Sequence, residues 1–277
     1  MQTLTEIRQL LAERGLRPRH RLGQNFMHDK NQVAKLVGAA ALSPGDLVLE
    51  VGPGTGTLTE ALLEAGARVV VSELDQGLAA LIRERFDDRV TVLEGDCLTG
   101  THTLSPAIQA TLGDQPFVTV ANLPYQVASP LMVLLLQNFN NCRGIYATVQ
   151  LEVAQRMTAT AGTKQWGPLT VMLQLLAEVE RLSVVPASSF WPKPKVKSAM
   201  VALRPRSQAL VEDSAAFGRF VTQLFTKRRK QLGAICPDWK ASSLEFDWTR
   251  RPESLTIPEL VTLFKFEKTA KAQREVS

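Results

Sequence analysis

The sequence has few cysteines and no long apolar run. Cys97, Cys142 and Cys236 are odd in number and far apart, so neither a disulfide framework nor a thiolate metal site is predicted. The longest apolar run, residues 131–136, is far below the roughly 20 residues that a membrane span needs. Charged residues such as Glu6 interrupt the first apolar positions, which argues against a secretory signal. We therefore expect a cytoplasmic protein with no membrane span and no metal.

Apolar residues are sufficient for a full core. They make up 45% of the 277 residues, against 21% charged residues, so wholesale disorder is excluded. This length favours one large domain with a smaller one. The formal net charge is +5, and residues 206–277 hold 13 basic against 9 acidic residues. The surplus positive charge therefore lies mostly in the C-terminal part.

Short apolar runs alternate with helical stretches from residue 47 onward, an order typical of a parallel sheet with crossover helices. The predicted strands are residues 47–51, 68–72, 90–93, 117–121, 145–149, 179–185 and 199–203. The predicted helices include residues 4–13, 58–64, 76–86 and 130–139. We therefore predict an α/β fold with a sheet of about seven strands.

The strand pattern stops near residue 205. Beyond it, Phe217, Phe220, Val221 and Leu224 recur at helical spacing. We therefore predict a catalytic domain over residues 1–205 and a small helical domain over residues 206–277.

A glycine-rich turn, Gly52-Pro53-Gly54-Thr55-Gly56, follows the first predicted strand and precedes a helix. Glycines there let the backbone approach a ligand, and the helix N-terminus offers free amide groups. The sequence has no ATP-type P-loop motif, and the turn departs from the dinucleotide pattern. A nucleoside without a pyrophosphate is favoured, with a plain tight turn as the alternative.

Polar side chains close the next three predicted strands. Glu73 closes the second strand, Asp96 the third and Asn122 the fourth. The carboxyl ends of parallel strands face one crevice, where open α/β sheets bind ligands. S-adenosylmethionine suits this crevice, with its ribose on Glu73 and its adenine edge near Asp96.

The tetrapeptide Asn122-Leu123-Pro124-Tyr125 combines hydrogen-bond acceptors with an aromatic ring. The Asn122 side-chain carbonyl and a following backbone carbonyl can hold an exocyclic amino group while Tyr125 stacks on its ring. This arrangement suits adenine N6, whose lone pair is delocalised. Accepting its hydrogens favours a more pyramidal nitrogen, so positioning replaces a strong base. A turn that merely ends the strand is the alternative.

The motifs together resemble those of the ribosomal RNA adenine dimethyltransferases, in particular bacterial enzymes that modify two adjacent adenosines near the 3′ end of small-subunit rRNA. The resemblance rests on LGQNF (22–26), EVGPG (50–54), ELD (73–75), GD (95–96), NLPY (122–125), FWPKPKVKS (190–198) and FTKRRK (225–230). It implies a class I Rossmann-like, S-adenosylmethionine-dependent methyltransferase with a small helical C-terminal domain.

The resemblance also implies roles for individual residues. The implied cofactor contacts are Asn25, Met27, Gly52, Glu73, Asp96 and Asn122. The implied base-handling residues are Asn122, Leu123, Pro124, Tyr125 and Phe190. Met27 replaces the usual Leu, which an apolar or backbone contact tolerates.

Two basic segments are predicted to contact RNA. Their residues are Lys193, Lys195, Lys197, Lys227, Arg228, Arg229 and Lys230. The first segment lies in a stiff Pro-rich loop that can present Phe190 to a flipped base, opposite Tyr125. Alternating lysines can project together toward phosphates, although ordinary solvated charge is the alternative. The modest net charge favours a defined patch for folded RNA.

We predict N6,N6-dimethylation of two adjacent adenosines in 16S rRNA during ribosome biogenesis. The expected partners are small-subunit rRNA and a pre-ribosomal particle, bound by a monomer. One alternative is a dimethyltransferase for 23S rRNA adenine, against which the 190–192 and 225–230 motifs argue. The other is a non-catalytic ribosome-assembly factor, against which the intact cofactor residues argue.

Overall fold

The chain forms two compact units. A computed structural model describes residues 2–100, 103–240 and 244–275. The first unit comprises Met1–Ala154 and Glu178–Pro205, and the second comprises Gln155–Ala177 and Arg206–Ser277. The first unit ends at Pro205, and residues 155–177, which we assigned to the first domain, group with the second unit. The division into a catalytic and an RNA-contacting domain stays a prediction.

Packing explains where residues 155–177 belong. Their helix, Pro168–Leu176, buries Val171 and Leu173 and contacts the helix Ser214–Thr226. A Cβ atom on Gly218 would lie 3.2 Å from the Met172 sulfur, so the two helices approach closely. In the sequence this segment lies between two predicted strands. Its packing against residues 214–226 is a tertiary contact that the local pattern does not indicate.

Among the described residues, the strands and the first seven helices belong wholly or partly to the first unit. Its strands are β1 (Phe26–Met27), β2 (Leu47–Val51), β3 (Arg68–Glu73), β4 (Val90–Glu94), β5 (Leu98–Thr99), β6 (Thr103–Leu104), β7 (Phe117–Asn122), β8 (Cys142–Gln150), β9 (Ala177–Val185, which begins in the second unit), β10 (Phe190–Trp191) and β11 (Ser198–Pro205). Its helices are α1 (Leu4–Glu13), α2 (Lys30–Ala40), α3 (Thr57–Glu64), α4 (Gln76–Phe86), α5 (Pro106–Leu112), α6 (Tyr125–Asn138) and α7 (Leu151–Met157, which ends in the second unit).

The second unit is helical. Its helices are α8 (Pro168–Leu176), α9 (Ser214–Thr226), α10 (Leu232–Ile235), α11 (Pro237–Lys240) and α12 (Ile257–Glu275). Phe217 meets Phe264 edge to face, with ring centroids 5.4 Å apart, so α9 and α12 share an aromatic core. No helix in the described part of the chain is long and apolar enough to cross a membrane.

A seven-stranded sheet organises the first unit, in the order β4-β3-β2-β7-β8-β11-β9. The strands β4, β3, β2, β7 and β8 run parallel, and β11 is antiparallel to β8. Every residue of β2 is buried, as expected for a central parallel strand covered on both faces. All seven predicted strands are therefore confirmed, as is the α/β class.

The strand order reverses at β2, because β3 and β4 lie on one side of it and β7 and β8 on the other. In open α/β sheets, the crevice beyond the carboxyl ends of the strands at such a reversal is the usual ligand site. The loops after β2, β3, β4 and β7 all reach this edge, so the topology places the predicted site residues there.

Several elements were not predicted, among them α2, α5, α8 and the ladder of β5 with β6. Two further differences involve segments that line the pocket. The short strands β1 and β10 form a separate antiparallel ladder, in which Phe26 pairs with Trp191 and Met27 with Phe190. Helix α6 begins at Tyr125 and runs through Pro130, whereas a start at residue 130 was expected. Proline favours the first helical turn, but here it lies in the interior, where it removes one backbone hydrogen bond.

Candidate active site

The glycine-rich turn forms a tight loop, residues 52–56, called the cofactor loop below. Its three glycines have φ angles of 73°, 60° and 85°, in the left-handed region that favours glycine. A Cβ on Gly54 would lie 2.7 Å from a ring carbon of Phe26, and one on Gly56 would lie 2.5 Å from a ring carbon of Phe86. Conformation and space therefore both require glycine at these two positions.

One pocket collects the predicted cofactor residues. It lies at the carboxyl ends of β2, β3, β4 and β7, and its lining includes Asn25, Met27, Gly52, Glu73, Asp96 and Asn122. Pro124 of the predicted base-handling set also lines it, whereas Leu123, Tyr125 and Phe190 are not among its described lining residues. The structure thus brings the predicted cofactor set together in one place.

Glu73 presents a buried carboxyl group to this pocket. One oxygen accepts a hydrogen bond from the backbone N–H of Asp75 at 2.9 Å, and the other accepts from Gly54 N–H at 3.3 Å. Burial raises the pKa of Glu73 to about 7, although the two backbone donors partly oppose this. The remaining lone pairs of the carboxyl can accept the hydroxyl groups of a ribose.

Glu50, which lines the same pocket, was not predicted as a site residue. It is 1% exposed, and its Oε2 accepts a 2.7 Å hydrogen bond from the Thr59 hydroxyl. Burial raises the pKa of Glu50 to about 8, and the charge of Glu73 adds to the increase. A lone carboxyl in an otherwise apolar strand was the available signal in the sequence.

These two carboxyl groups predict a pH dependence of folding. Both hold their protons more tightly in the folded protein than in the unfolded chain. As the pH rises from 5 to 8, the unfolded chain ionises first, so the free energy of unfolding of the cofactor-free protein should fall. Urea titrations across this range should show the fall, and Glu50→Gln should flatten it. The exposed control Glu178→Gln should keep the full decrease. If the free energy of unfolding of Glu50→Gln falls with pH as steeply as that of the control, Glu50 does not have the raised pKa assigned to it.

Asp96 and Leu74 line the outer part of the pocket. Asp96 is exposed, and one of its carboxylate oxygens accepts the backbone N–H of Leu98 at 2.9 Å. Leu74 is 49% exposed, an unusual position for a large apolar side chain. The pair offers one hydrogen-bond acceptor and one apolar surface, which suits the edge and the face of an adenine ring.

Asn122 is held by the segment that precedes β1. Its Nδ2 donates to the backbone carbonyl of Asn25 at 3.0 Å, and the Asn25 side chain in turn donates to the carbonyl of Gly23 at 3.0 Å. This donor contact fixes the orientation of the Asn122 amide. Its carbonyl oxygen accepts no hydrogen bond from the part of the chain that the structure describes, so it can accept hydrogens from a ligand amine.

The neighbouring base-handling residues have different surroundings. Leu123 is buried and donates its backbone N–H to Thr148 at 3.2 Å. The Tyr125 hydroxyl lies 3.2 Å from that of the buried Ser198, which fixes the direction of the ring. Phe190 is 3% exposed and belongs to the hydrophobic core. Its expected exposed face is absent here, because its strand pairs with β1 and buries the ring.

The predicted RNA residues divide into two kinds. The exposed ones are Lys193, Lys195, Lys197, Lys227, Arg229 and Lys230. Arg228 instead forms an ion pair with Glu253 at 2.9 Å and donates to the backbone carbonyl of Lys164 at 3.4 Å. The structure therefore uses Arg228 inside the second unit and leaves the other cations to solvent.

The donor set suits a nucleoside-type cofactor. The left-handed glycine loop admits close backbone approach, Glu73 supplies a buried carboxyl, and Asp96 and Leu74 supply an edge and a face. Within residues 2–100, 103–240 and 244–275, no three His, Cys, Asp or Glu side chains are grouped in a way that could hold a metal ion.

The fold and the site together define a class I Rossmann-like, S-adenosylmethionine-dependent methyltransferase. The sequence model of one family, described as ribosomal RNA adenine dimethylase, matches residues 15–237. The chain belongs to this family, which confirms the resemblance, and S-adenosylmethionine is its cofactor.

Individual relatives agree with this membership. The chain is 37% identical to a ribosomal RNA small subunit methyltransferase A of Mycobacterium bovis (strain BCG / Pasteur 1173P2), over 94% of this chain and 86% of the relative. A crystal structure of a dimethyladenosine transferase from Plasmodium falciparum matches with a TM-score of 0.73 at 25% identity, over 88% of this chain and 98% of that one. The 23S rRNA methyltransferase ErmE matches with a TM-score of 0.62 at 28% identity, over 87% of this chain and 100% of that one.

Proposed function

We propose that this protein dimethylates N6 of two adjacent adenosines near the 3′ end of small-subunit rRNA. The observation that carries the chemistry is the Asn122 amide, which is fixed in the pocket of the cofactor residues and whose carbonyl oxygen has no donor among the described residues. The similarity to a ribosomal RNA small subunit methyltransferase A supports the choice of the small subunit.

The cofactor residues have separate tasks in this proposal. When bound, S-adenosylmethionine supplies a methyl group on a positively charged sulfur. Glu73 accepts the ribose hydroxyls, Asp96 accepts from the adenine edge, and Leu74 covers the adenine face. Glu50 is a buried residue of β2 that lines the same pocket. When its carboxyl group is ionised, it adds negative charge beside the positively charged cofactor.

The target amine is positioned by Asn122 and the backbone after it. Adenine N6 is a weak nucleophile, because its lone pair is delocalised into the ring. By accepting its hydrogens, the Asn122 carbonyl oxygen and a following backbone carbonyl turn the lone pair out of the ring plane. Tyr125, held by Ser198, stacks on the base. Positioning of this kind lowers the activation barrier for methyl transfer substantially, so no strong base is needed.

RNA binding is assigned to the exposed cations of both basic segments. We propose the three lysines of the 193–197 loop in the first unit, and Lys227, Arg229 and Lys230 in the second, as phosphate contacts. We also propose that the protein acts in the cytoplasm, as a monomer, on a pre-ribosomal particle.

The salt dependence of binding should separate Arg228 from its neighbours. Converting both Arg229 and Lys230 to Gln should lower the slope of log Kd against log salt by roughly 1.5, since each phosphate contact contributes about 0.7 to 0.9. Arg228→Gln should leave the slope nearly unchanged and lower the melting temperature instead, because Glu253 loses its partner.

Filter binding to unmethylated small subunits at several salt concentrations measures these slopes. The exposed Lys35 on α2 gives the control Lys35→Gln, which should bind like the parent protein. If the slope of log Kd against log salt falls for Arg228→Gln but not for the double variant, then Arg228 contacts phosphate and its two neighbours do not.

A direct experiment tests the function. Unmethylated small and large subunits are incubated separately with the protein and S-adenosylmethionine, and their rRNA is then mapped by mass spectrometry. We expect dimethyladenosine at two neighbouring positions of the small-subunit RNA. Modification of the large subunit alone would favour the second candidate, a 23S rRNA enzyme, to which the match with ErmE points. Cofactor binding without modification of either RNA would overturn both candidates.

A further inference from the structure

The second residue of the chain, Gln2, lies buried behind the cofactor loop. It is 4% exposed, although glutamine is a mostly exposed residue type. Its Oε1 accepts two hydrogen bonds, one from the Thr55 hydroxyl at 2.8 Å and one from the Thr57 hydroxyl at 2.7 Å. One side-chain oxygen therefore joins the end of the cofactor loop to the first residue of α3.

Both threonines line the cofactor pocket, so Gln2 acts on the pocket wall from behind. Thr55 is also held through its backbone carbonyl, which accepts a hydrogen bond from Arg85 at 2.6 Å. The loop itself is closed by a 2.9 Å bond from Gly56 N–H to the Pro53 carbonyl. A loop that must keep three left-handed glycines needs such external supports, because glycine is the most freely moving residue type.

The position of Gln2 is set by helix α1, which begins two residues later. Thr3 and Glu6 form a reciprocal capping box at its N-terminus, which defines how the chain enters the helix. Ile7 and Leu11 then fix the helix in the core, where they are 0% and 2% exposed. Gln2 is thus anchored to the core through α1, and its contacts with the loop follow from that anchorage.

We propose that Gln2 is a positioning residue for cofactor binding, which keeps the cofactor loop in its binding conformation before the cofactor arrives. Without the shared acceptor, two buried hydroxyl groups lose their partner, and the loop spends less time in that conformation. The apparent Kd rises by the inverse of the fraction that remains competent. This proposal rests on S-adenosylmethionine as the cofactor and is independent of which RNA is the substrate.

Two substitutions of similar size test it. Gln2→Met removes the acceptor and also the Nε2 group, which has no partner among the described residues, so the fold should tolerate it. Gln2→Glu keeps an acceptor oxygen. Titration calorimetry with S-adenosylmethionine should show a Kd about tenfold higher for Gln2→Met, the effect of losing two ordinary hydrogen bonds. Gln2→Glu should stay within about twofold of the parent protein.

The control is Gln9→Met on the exposed face of the same helix, where the Gln9 side chain donates to Glu13 at 2.8 Å and lies outside the cofactor pocket. It should bind the cofactor like the parent protein. Thr57→Val removes the hydroxyl group that donates to Gln2 and leaves Gln2 itself unchanged. It gives a second measurement if Gln2→Met does not fold. It should raise the Kd, and adding Gln2→Met should raise it less than additively.

The steady-state constants provide a further readout. Loss of a positioning contact should raise the KM for S-adenosylmethionine and leave kcat at saturation nearly unchanged. A parent-like Kd in Gln2→Met together with a lower melting temperature would show that the contact supports only the fold, and would overturn the proposal. Because calorimetry needs no RNA, this result is separate from success or failure of the rRNA assay.

Discussion

Replacing Asn122 with alanine is expected to lower kcat for adenosine methylation roughly 100- to 1000-fold, the usual effect of removing one positioned polar group from a reacting centre. The reason is geometric. The Asn122 amide is oriented by its bond to the Asn25 carbonyl, and alanine supplies no acceptor for the hydrogens of N6. Single-turnover methyl transfer to unmethylated small subunits measures the loss.

The same variant separates catalysis from binding. Asn122→Ala should still bind small-subunit particles, because its substitution leaves the exposed cations of both basic segments in place. The matched control is Asn140→Ala, at an exposed position in the turn before β8, which should retain full activity. A kcat within tenfold of the parent value would remove Asn122 from the reacting centre, and loss of particle binding would show a wider role.

Glu73→Gln is expected to raise the Kd for S-adenosylmethionine about 100-fold, since hydrogen bonds to a charged group contribute about 1.5 to 3 kcal/mol each. The amide also replaces one acceptor oxygen with a donor, which must face the N–H of Gly54 or Asp75. The loss of affinity therefore includes the cost of placing the new amide N–H group against one of these backbone N–H groups. Titration calorimetry at pH 8, where the parent carboxyl group is ionised, measures the difference.

The pH profile of binding provides an internal check. Because burial raises the pKa of Glu73 to about 7, affinity in the parent protein should increase as the pH rises through that value. The carboxylate accepts ribose hydroxyls without a competing proton. Glu73→Gln should lose this increase. Glu94→Gln, at the exposed position paired with Glu73 on the neighbouring strand, should keep it, and a profile unchanged in Glu73→Gln would disprove the assignment.

The sheet was predictable because its central strands, β2 and β7, are short, almost wholly buried runs of mostly apolar residues. β2 matches its predicted residues 47–51 without change, and α1 and α4 also match theirs. The two-residue strands β1 and β10 could not be predicted, since so short a segment carries no periodicity. Their pairing depends on tertiary contacts between distant parts of the chain.

The pocket was predictable to the extent that strand ends are visible in a sequence. Glu73, Asp96 and Asn122 each follow an apolar run, and parallel strands bring such ends to one edge. Their roles stay predictions until tested. Burial is a property of packing, so the enclosure of Phe190 and of Gln2 had no counterpart in local pattern. The ion pair of Arg228 with Glu253 was hidden for the same reason.

The ladder between β1 and β10 has a consequence for biosynthesis. It joins residues in the first tenth of the chain to residues in the last third, and the segment just before it, residues 22–25, forms one wall of the pocket. Closing so long a loop costs conformational entropy, and the contacts between β1 and β10 that offset this cost form only after both strands are present. During translation the five parallel strands emerge first, and residues 190–191 emerge well after them. The nascent protein therefore acquires its complete cofactor site only when almost the whole first unit has left the ribosome.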